Sequence, residues 1–367
     1  MKSKEIIYWI EKQFASTNMI HAGFPHGIAG LSVFYFLMFT LTNERKHVTK
    51  CKSLFRAAIE TIRSNDDNSI LNEYCGITWT HSLLQKNKIL SFCGDTFIKK
   101  IYADVYINSL RMAMCKDYDL ALDGLRGTLT ALKAIPDQMA VGYLNQLVDV
   151  LRSYCILEDH QNQILEKMSN DKPIDSETIL LFTQYLKIFR FLIGVHENGM
   201  TSNELKNLLR QSTKFLIFLY DGQQFFKGLA IDRLDEFKIS SCELHLMALI
   251  VICRSCKCVG IDYSGVITSI LANLIERETI LTSNSAKFPN LLKSMKLANG
   301  YMSLYHESQF NQALNRMQYW LRKSEKEIEK GIKVSSEQSQ CTTSLEVALI
   351  LLGCQTKISN NLDIYWF

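Results

Sequence analysis

The stretch KISSCELHLMALIVICRSCKC (238–258) gathers thiols and an imidazole: Cys242, His245, Cys253, Cys256 and Cys258. Thiolate sulfur and neutral imidazole are the usual zinc donors, and the Cys-x-x-Cys-x-Cys spacing of 253–258 is one a metal can use in a loop. On a helix the same residues fall on related faces among leucines and isoleucines, where cysteines pack more often than they ligate. No second complete pair faces this one in the sequence. As a nucleophile Cys242 lacks a neighbouring base and orienting acid.

The elements that would position these residues are helices. The chain has only 4 prolines and 17 glycines in 367 residues, so long stretches run unbroken. Apolar residues recur at three- and four-residue intervals, as in ETILLFTQYLKIFRFLI (177–193) and FNQALNRMQYWLRKSEKEIEKGI (310–332). Period-two alternation is not sustained anywhere. The expected fold is nearly all α.

Internal repetition organises the helices. FPHGIAGLSVFYF (24–36) places small residues ahead of an apolar helix, and NEYCGITWTHSLL (72–84) repeats that design. LALDGLRGTLTAL (120–132) is a third copy, and FLIGVHENGMTSNELKNLL (191–209) a fourth, where a glycine-rich turn enters a helix. The fifth is the cysteine-bearing stretch itself, followed by LKSMKLANGYMSLY (292–305) and CTTSLEVALILLG (341–353). Repeats about 50 residues long suit helix pairs, in a closed toroid or an open solenoid. A small residue at the start of an inner helix lets helix ends crowd together and leaves backbone N–H groups for a ligand. Each glycine read alone also serves simply to end one helix and begin the next.

HGIAGLSVFYF, CGITWTHSLL and DGLRGTLTAL resemble the glycine-bearing helix starts of the lanthionine synthetase C-like family, and the closing NNLDIYWF is similar to that family's acidic-aromatic ending. The resemblance runs from about Phe24 to Phe367. It implies one domain over residues 1–367, an (α/α) toroid of seven inner and seven outer helices. It also implies a role in maturing ribosomal peptides. Enzymes of this family bind zinc through two cysteines and a histidine, and the metal activates a peptide thiol that adds to a dehydrated serine or threonine.

Carried over residue by residue, the resemblance leaves the metal site incomplete. The element supplying the first ligand falls on Ser241, Cys242, Glu243 and Leu244, so Cys242 is the one metal-ligand position matched. The element supplying the other two falls near Leu291, Leu292 and Lys293, and neither cysteine nor histidine occurs between Cys258 and Tyr305. GVHENG places His196 in the position of a proton-transferring histidine, and Asp119 in YDLALDG matches an acidic residue before the third repeat's glycine. The family's arginine has only Arg233 or Lys238 to offer. No resident cofactor is therefore expected.

Other features bound the function. A net charge of +4, with lysine and arginine spread along the chain, gives no basic stripe for a nucleic acid. The most apolar run, Ala29 to Thr42, falls short of the roughly 20 residues that span a bilayer, and MKSKEIIYWIEKQF lacks a signal-peptide core. A cytoplasmic protein with reduced cysteines is expected, without a membrane span. His26 and His81 fit helix caps or core positions. The expected partner is a peptide, with a dehydratase as a possible second. Three functions follow: a peptide-binding or presenting protein with a degraded zinc site, an active thioether-forming cyclase that uses His196 and Asp119, or an all-helical scaffold.

Overall fold

The computed structural model describes residues 27–64, 71–90, 96–115, 138–153, 156–169, 176–197, 202–221 and 241–263, together with 11, 21–24, 199, 349 and 352. These residues are helical or in turns and short connections, with no strand among them, so the described part of the protein is all-α. The chain divides into two compact units. One gathers Met1–Ile101 with Thr268–Trp366, and the other comprises Tyr102–Ile267 with Phe367.

In the first unit, α1 (Ile28–Thr42) packs on α2 (Arg45–Ser64) and α3 (Leu71–Lys86). IAGLSVFYFLMFTLT offers no polar stripe, so α1 needs neighbours on every side, and all its residues from Ala29 to Met38 are buried. Each large apolar side chain buried in this way contributes about 1.5–3 kcal/mol. α2 is amphipathic: His47, Cys51, Phe55, Ala58, Ile59 and Ile62 form its buried stripe, with charged residues opposite. α3 is again covered all round, from Cys75 to Leu84. His81 is part of this core and stacks on Phe55, with 5.8 Å between ring centroids. Between α1 and α2, Asn43 adopts a left-handed conformation (φ 57°), and its N–H caps α1 on the Phe39 carbonyl.

Gly76 of the second repeat meets the residues at the very start of the first, Gly23 and Phe24. A Cβ on Gly76, in the second turn of α3, would stand 2.2 Å from the Phe24 amide nitrogen, and one on Gly23 would stand 2.9 Å from the Glu73 Cα. The 21–27 turn therefore lies directly on the α3 backbone, as crowded helix starts require. The N–H groups at that start are not left for a ligand, however. Gly27, Ile28 and Ala29 donate to the carbonyls of Gly23, His21 and Ala22 at 3.0, 2.9 and 3.0 Å. The turn folds back and caps α1 with its own backbone.

α4 (Thr96–Met114) begins in the first unit and continues into the second. The second unit contains α5 (Gln138–Ser153), α6 (Ile156–Ser169), α7 (Ser176–Glu197), α8 (Asn203–Asp221) and α9 (Ser241–Val259). α7 packs on α6, α8 and α9, and its side chains from Tyr185 to Val195 are buried apart from the half-buried Lys187 and Gly194. α8 is amphipathic, burying Leu205, Leu209, Ser212, Leu216 and Leu219. One polar network pins three helices: Gln161 Nε2 on α6 donates to the Tyr185 hydroxyl on α7 at 2.9 Å, and the side chain of Ser212 on α8 lies 3.3 Å from the same nitrogen. Among the described residues, Glu177–Glu197 is the one helix long and apolar enough to cross a membrane; most of it is covered by protein, and it carries Lys187 and Arg190.

The fourth repeat has a different phase from the sequence expectation. FLIGVHE is the end of the buried helix α7, and the glycine-rich turn leads into the one-sided helix α8. Gly199 sits in that turn at φ +88°, which suits a chain leaving a helix. The all-round burial expected after the turn belongs to the helix before it.

The close approach at Gly76 sets a measurable contrast. Gly76→Ala is expected to destabilise the protein by about 1–3 kcal/mol, because the obstruction is backbone that cannot rotate away. Gly142→Ala, on α5 with nothing within 4 Å of the added Cβ, is expected to raise stability by about 0.5–1 kcal/mol. Urea unfolding midpoints of the two variants check both signs.

Candidate functional site

Cys242 stands in the first turn of α9, where SSCELHL changes from polar loop residues to an apolar helix. His196 stands in the last turn of α7; its Nε2 is buried and finds no hydrogen-bond partner among the described residues. Its carbonyl accepts from the Gly199 N–H at 2.9 Å, which closes the turn. The structure places these two residues at different levels of the helix pair. Glu197, next to His196, pairs with Arg254 of α9: Arg254 Nε donates to Glu197 Oε1 at 3.0 Å, and Nη2 donates to Oε2. Arg254 follows Cys242 by twelve residues (242 to 254), about 18 Å of helix rise. His196 thus lies beside the C-terminal third of α9, away from the turn that bears Cys242.

The remaining expected site positions, Asp119, Leu291, Leu292, Lys293, Arg233, Lys238 and His26, lie outside the described residues. So do the third and sixth repeats, and the seventh apart from Leu349 and Leu352, both buried.

The thiols near His196 are poor ligands and poor nucleophiles. Cys253, Cys256 and Cys258 form no disulfide, and Cys256 is buried. Burial, then the neighbouring Cys253 and Asp262, push the Cys256 thiol up to about 11, and burial with the Glu197 carboxylate does the same for Cys258. Both are neutral thiols at physiological pH, whereas metal binding and nucleophilic attack use the thiolate. In the first unit Cys51 is likewise pushed to about 11 by burial. Ser32 Oγ donates to the Cys51 carbonyl at 2.9 Å.

A catalytic zinc takes three protein ligands, and the positions that the resemblance would assign to it hold one cysteine, two leucines and a lysine in the sequence. Among the described residues no group of three or more histidine, cysteine or acidic side chains could hold a metal. No chemical step is therefore routed through one.

Sequence reasoning passed over Glu73. This carboxylate, in the first turn of α3, lies 3.2 Å from His21 Nδ1 through Oε1 and accepts from the Ala22 N–H at 3.3 Å through Oε2. It clamps His21 and Ala22 onto α3 beside the glycine contact, where Gly23 lies against Glu73 itself. Its signal in the sequence was an acidic residue three positions before Gly76, at a helix start.

The buried thiols give a pH dependence with a definite sign. Their folded pKa values lie above the ordinary 9.0, so their stabilisation is complete below pH 9 and is lost as pH rises to about 11. The urea midpoint is expected to fall across that window. At pH 7.5 iodoacetamide is expected to modify the exposed Cys115 well before Cys51 or Cys256, as read by peptide mass spectrometry of the native protein.

No protein-family model, no curated protein and no solved structure matches this chain.

Proposed function

We propose that the chain is a lanthionine synthetase C-like protein: an (α/α) toroid that binds or presents a peptide under modification, with the family's zinc site degraded. The observation that carries the reading is the alternation of helix types. Helices buried on most sides, α1, α3 and the C-terminal half of α7, alternate with the one-sided α2 and α8, and within each unit such a helix packs on another apolar helix, α1 on α3 and α7 on α9. An inner and an outer layer of paired helices has this signature. The close contact of Gly76 on the 21–27 turn adds the crowding that inner helix starts need.

Binding is preferred to catalysis for two reasons. Cys242 keeps one of three ligand positions, and Arg254, whose partner Glu197 adjoins the candidate proton-transfer group His196, stands about 18 Å along α9 from it. The peptide partner, a dehydratase beside it and a cytoplasmic location complete the reading. A cyclase that activates the peptide thiol through His196 and Asp119 remains the alternative with chemistry. An open solenoid scaffold shares the two helix layers and lacks only the closure.

Two assays on the purified chain separate these functions. A synthetic peptide carrying cysteine and dehydroalanine is expected to bind saturably and to form its thioether ring no faster than it does alone. Absence of binding contradicts the peptide reading, and accelerated ring closure establishes the cyclase. Metal analysis is expected to find no stoichiometric zinc; one zinc per chain, lost in Cys242→Ala, contradicts the degraded site.

A further inference from the structure

The turn between α1 and α2 carries an imidazole where the core stripe of α2 calls for an apolar residue. His47 is 1% exposed, in line with Cys51 and Phe55, and its ring stacks on that of Tyr35 from α1 at a centroid distance of 6.0 Å and an interplanar angle of 25°. Its Nε2 is buried with no hydrogen-bond partner among the described residues. The hydroxyl of Tyr35, itself 1% exposed, is equally without one. The Glu11 carboxylate approaches that hydroxyl, and with burial it pushes the phenol up, yet the contact falls short of hydrogen-bond geometry. Two neutral rings are therefore packed together here, with His47 Nε2 and the Tyr35 hydroxyl both lacking a hydrogen bond among the described residues.

A proton on His47 would have little to meet. Glu44 Oε2 is 3.7 Å from Nε2, but that carboxylate is 42% exposed and already holds Lys46 Nζ at 2.6 Å. The Lys50 ammonium sits over the same Tyr35 ring, 4.5 Å from its centroid. The charges bearing on His47 from α2 and its flanks are thus Glu44, Lys46 and Lys50, with Glu11 from the segment before α1; none of those described comes from α3. Burial outweighs the two carboxylates and holds the imidazole below its ordinary 6.5.

We propose that the α1–α2 turn is an acid-labile latch, closed by neutral His47 packed against Tyr35 and released when His47 takes up a proton and swings to water. This inference is independent of the peptide-binding reading and holds for any function of the fold. The sign follows from the direction of the shift. A histidine held below its unfolded value contributes stability that is complete above pH 6.5 and is lost as pH falls through the folded value. The turn begins at the Asn43 cap of α1 and leads directly into α2, so its release loosens the packing of α2 on a helix that is otherwise enclosed.

Hydrogen exchange on the full chain tests the latch. Protection factors of residues 42–50 are expected to fall between pH 7.5 and 5.0, by up to about tenfold per pH unit, the limit for one proton. In His47→Phe, which keeps an aromatic ring on Tyr35 and cannot ionise, that fall is expected to vanish. An equal fall in the variant, or no fall there in the native chain, overturns the proposal. Should the variant not fold, the imidazole titration of His47 followed by NMR in the native chain decides: a midpoint below 6.5 supports the latch, and one at or above it overturns the latch.

Discussion

A helix that is apolar on every face can exist in water only inside other structure, and that constraint governs this protein. α1 is such a helix, α7 is enclosed from Tyr185 to Val195 although it carries Lys187 and Arg190, and α3 is covered on all sides although it carries Thr78, Thr80, His81 and Ser82. Each must be enclosed by neighbours, which explains why the intervening helices α2 and α8 are one-sided: one face closes over the buried helix and the other meets solvent. The glycine contact between α3 and the 21–27 turn belongs to the same economy of space. Two helix starts come close enough to satisfy their apolar faces only where no Cβ stands between them.

Enclosure also explains the chemistry of the polar groups inside. Cys51 and Cys256 remain neutral because a thiolate would lose its hydration there, and His47 is held neutral for the corresponding reason. Where a buried polar group does have partners, it ties helices together, as Tyr185 does with Gln161 and Ser212. The Glu197–Arg254 pair does the same at the rim of α7 and α9, and it fixes His196 near that end.

The sequence shows the helices plainly, because ETILLFTQYLKIFRFLI and AGLSVFYFLMFTLT carry their burial in composition alone. It also marks Gly76 in CGITWTHSLL, but not Gly23, which stands just ahead of FPHGIAGLSVFYF. It does not show what those residues touch: that Gly76 faces the Phe24 amide, or that the N–H groups of residues 27–29 are taken by carbonyls of the same turn, depends on a fold-back that no periodicity encodes. The phase of the fourth repeat is ambiguous for a related reason. Glycine favours both the exit of one helix and the entry of the next, so GVHENG reads either way until φ at Gly199 is known. The separation of Cys242 from His196 is a tertiary fact, set by which level of α9 the end of α7 reaches. His47 escaped notice because one imidazole in the charged run NERKHVTK looks like surface.

The central claim, that inner and outer helices close into a ring, is tested most directly by lysine cross-linking of the monomeric protein followed by peptide mass spectrometry. A ring brings the first hairpin beside the last, so intramolecular links are expected between Lys46 or Lys52 and Lys323, Lys326 or Lys330. A chain that links neighbouring repeats throughout, yet never its first hairpin to its last, would be an open solenoid and would contradict the account.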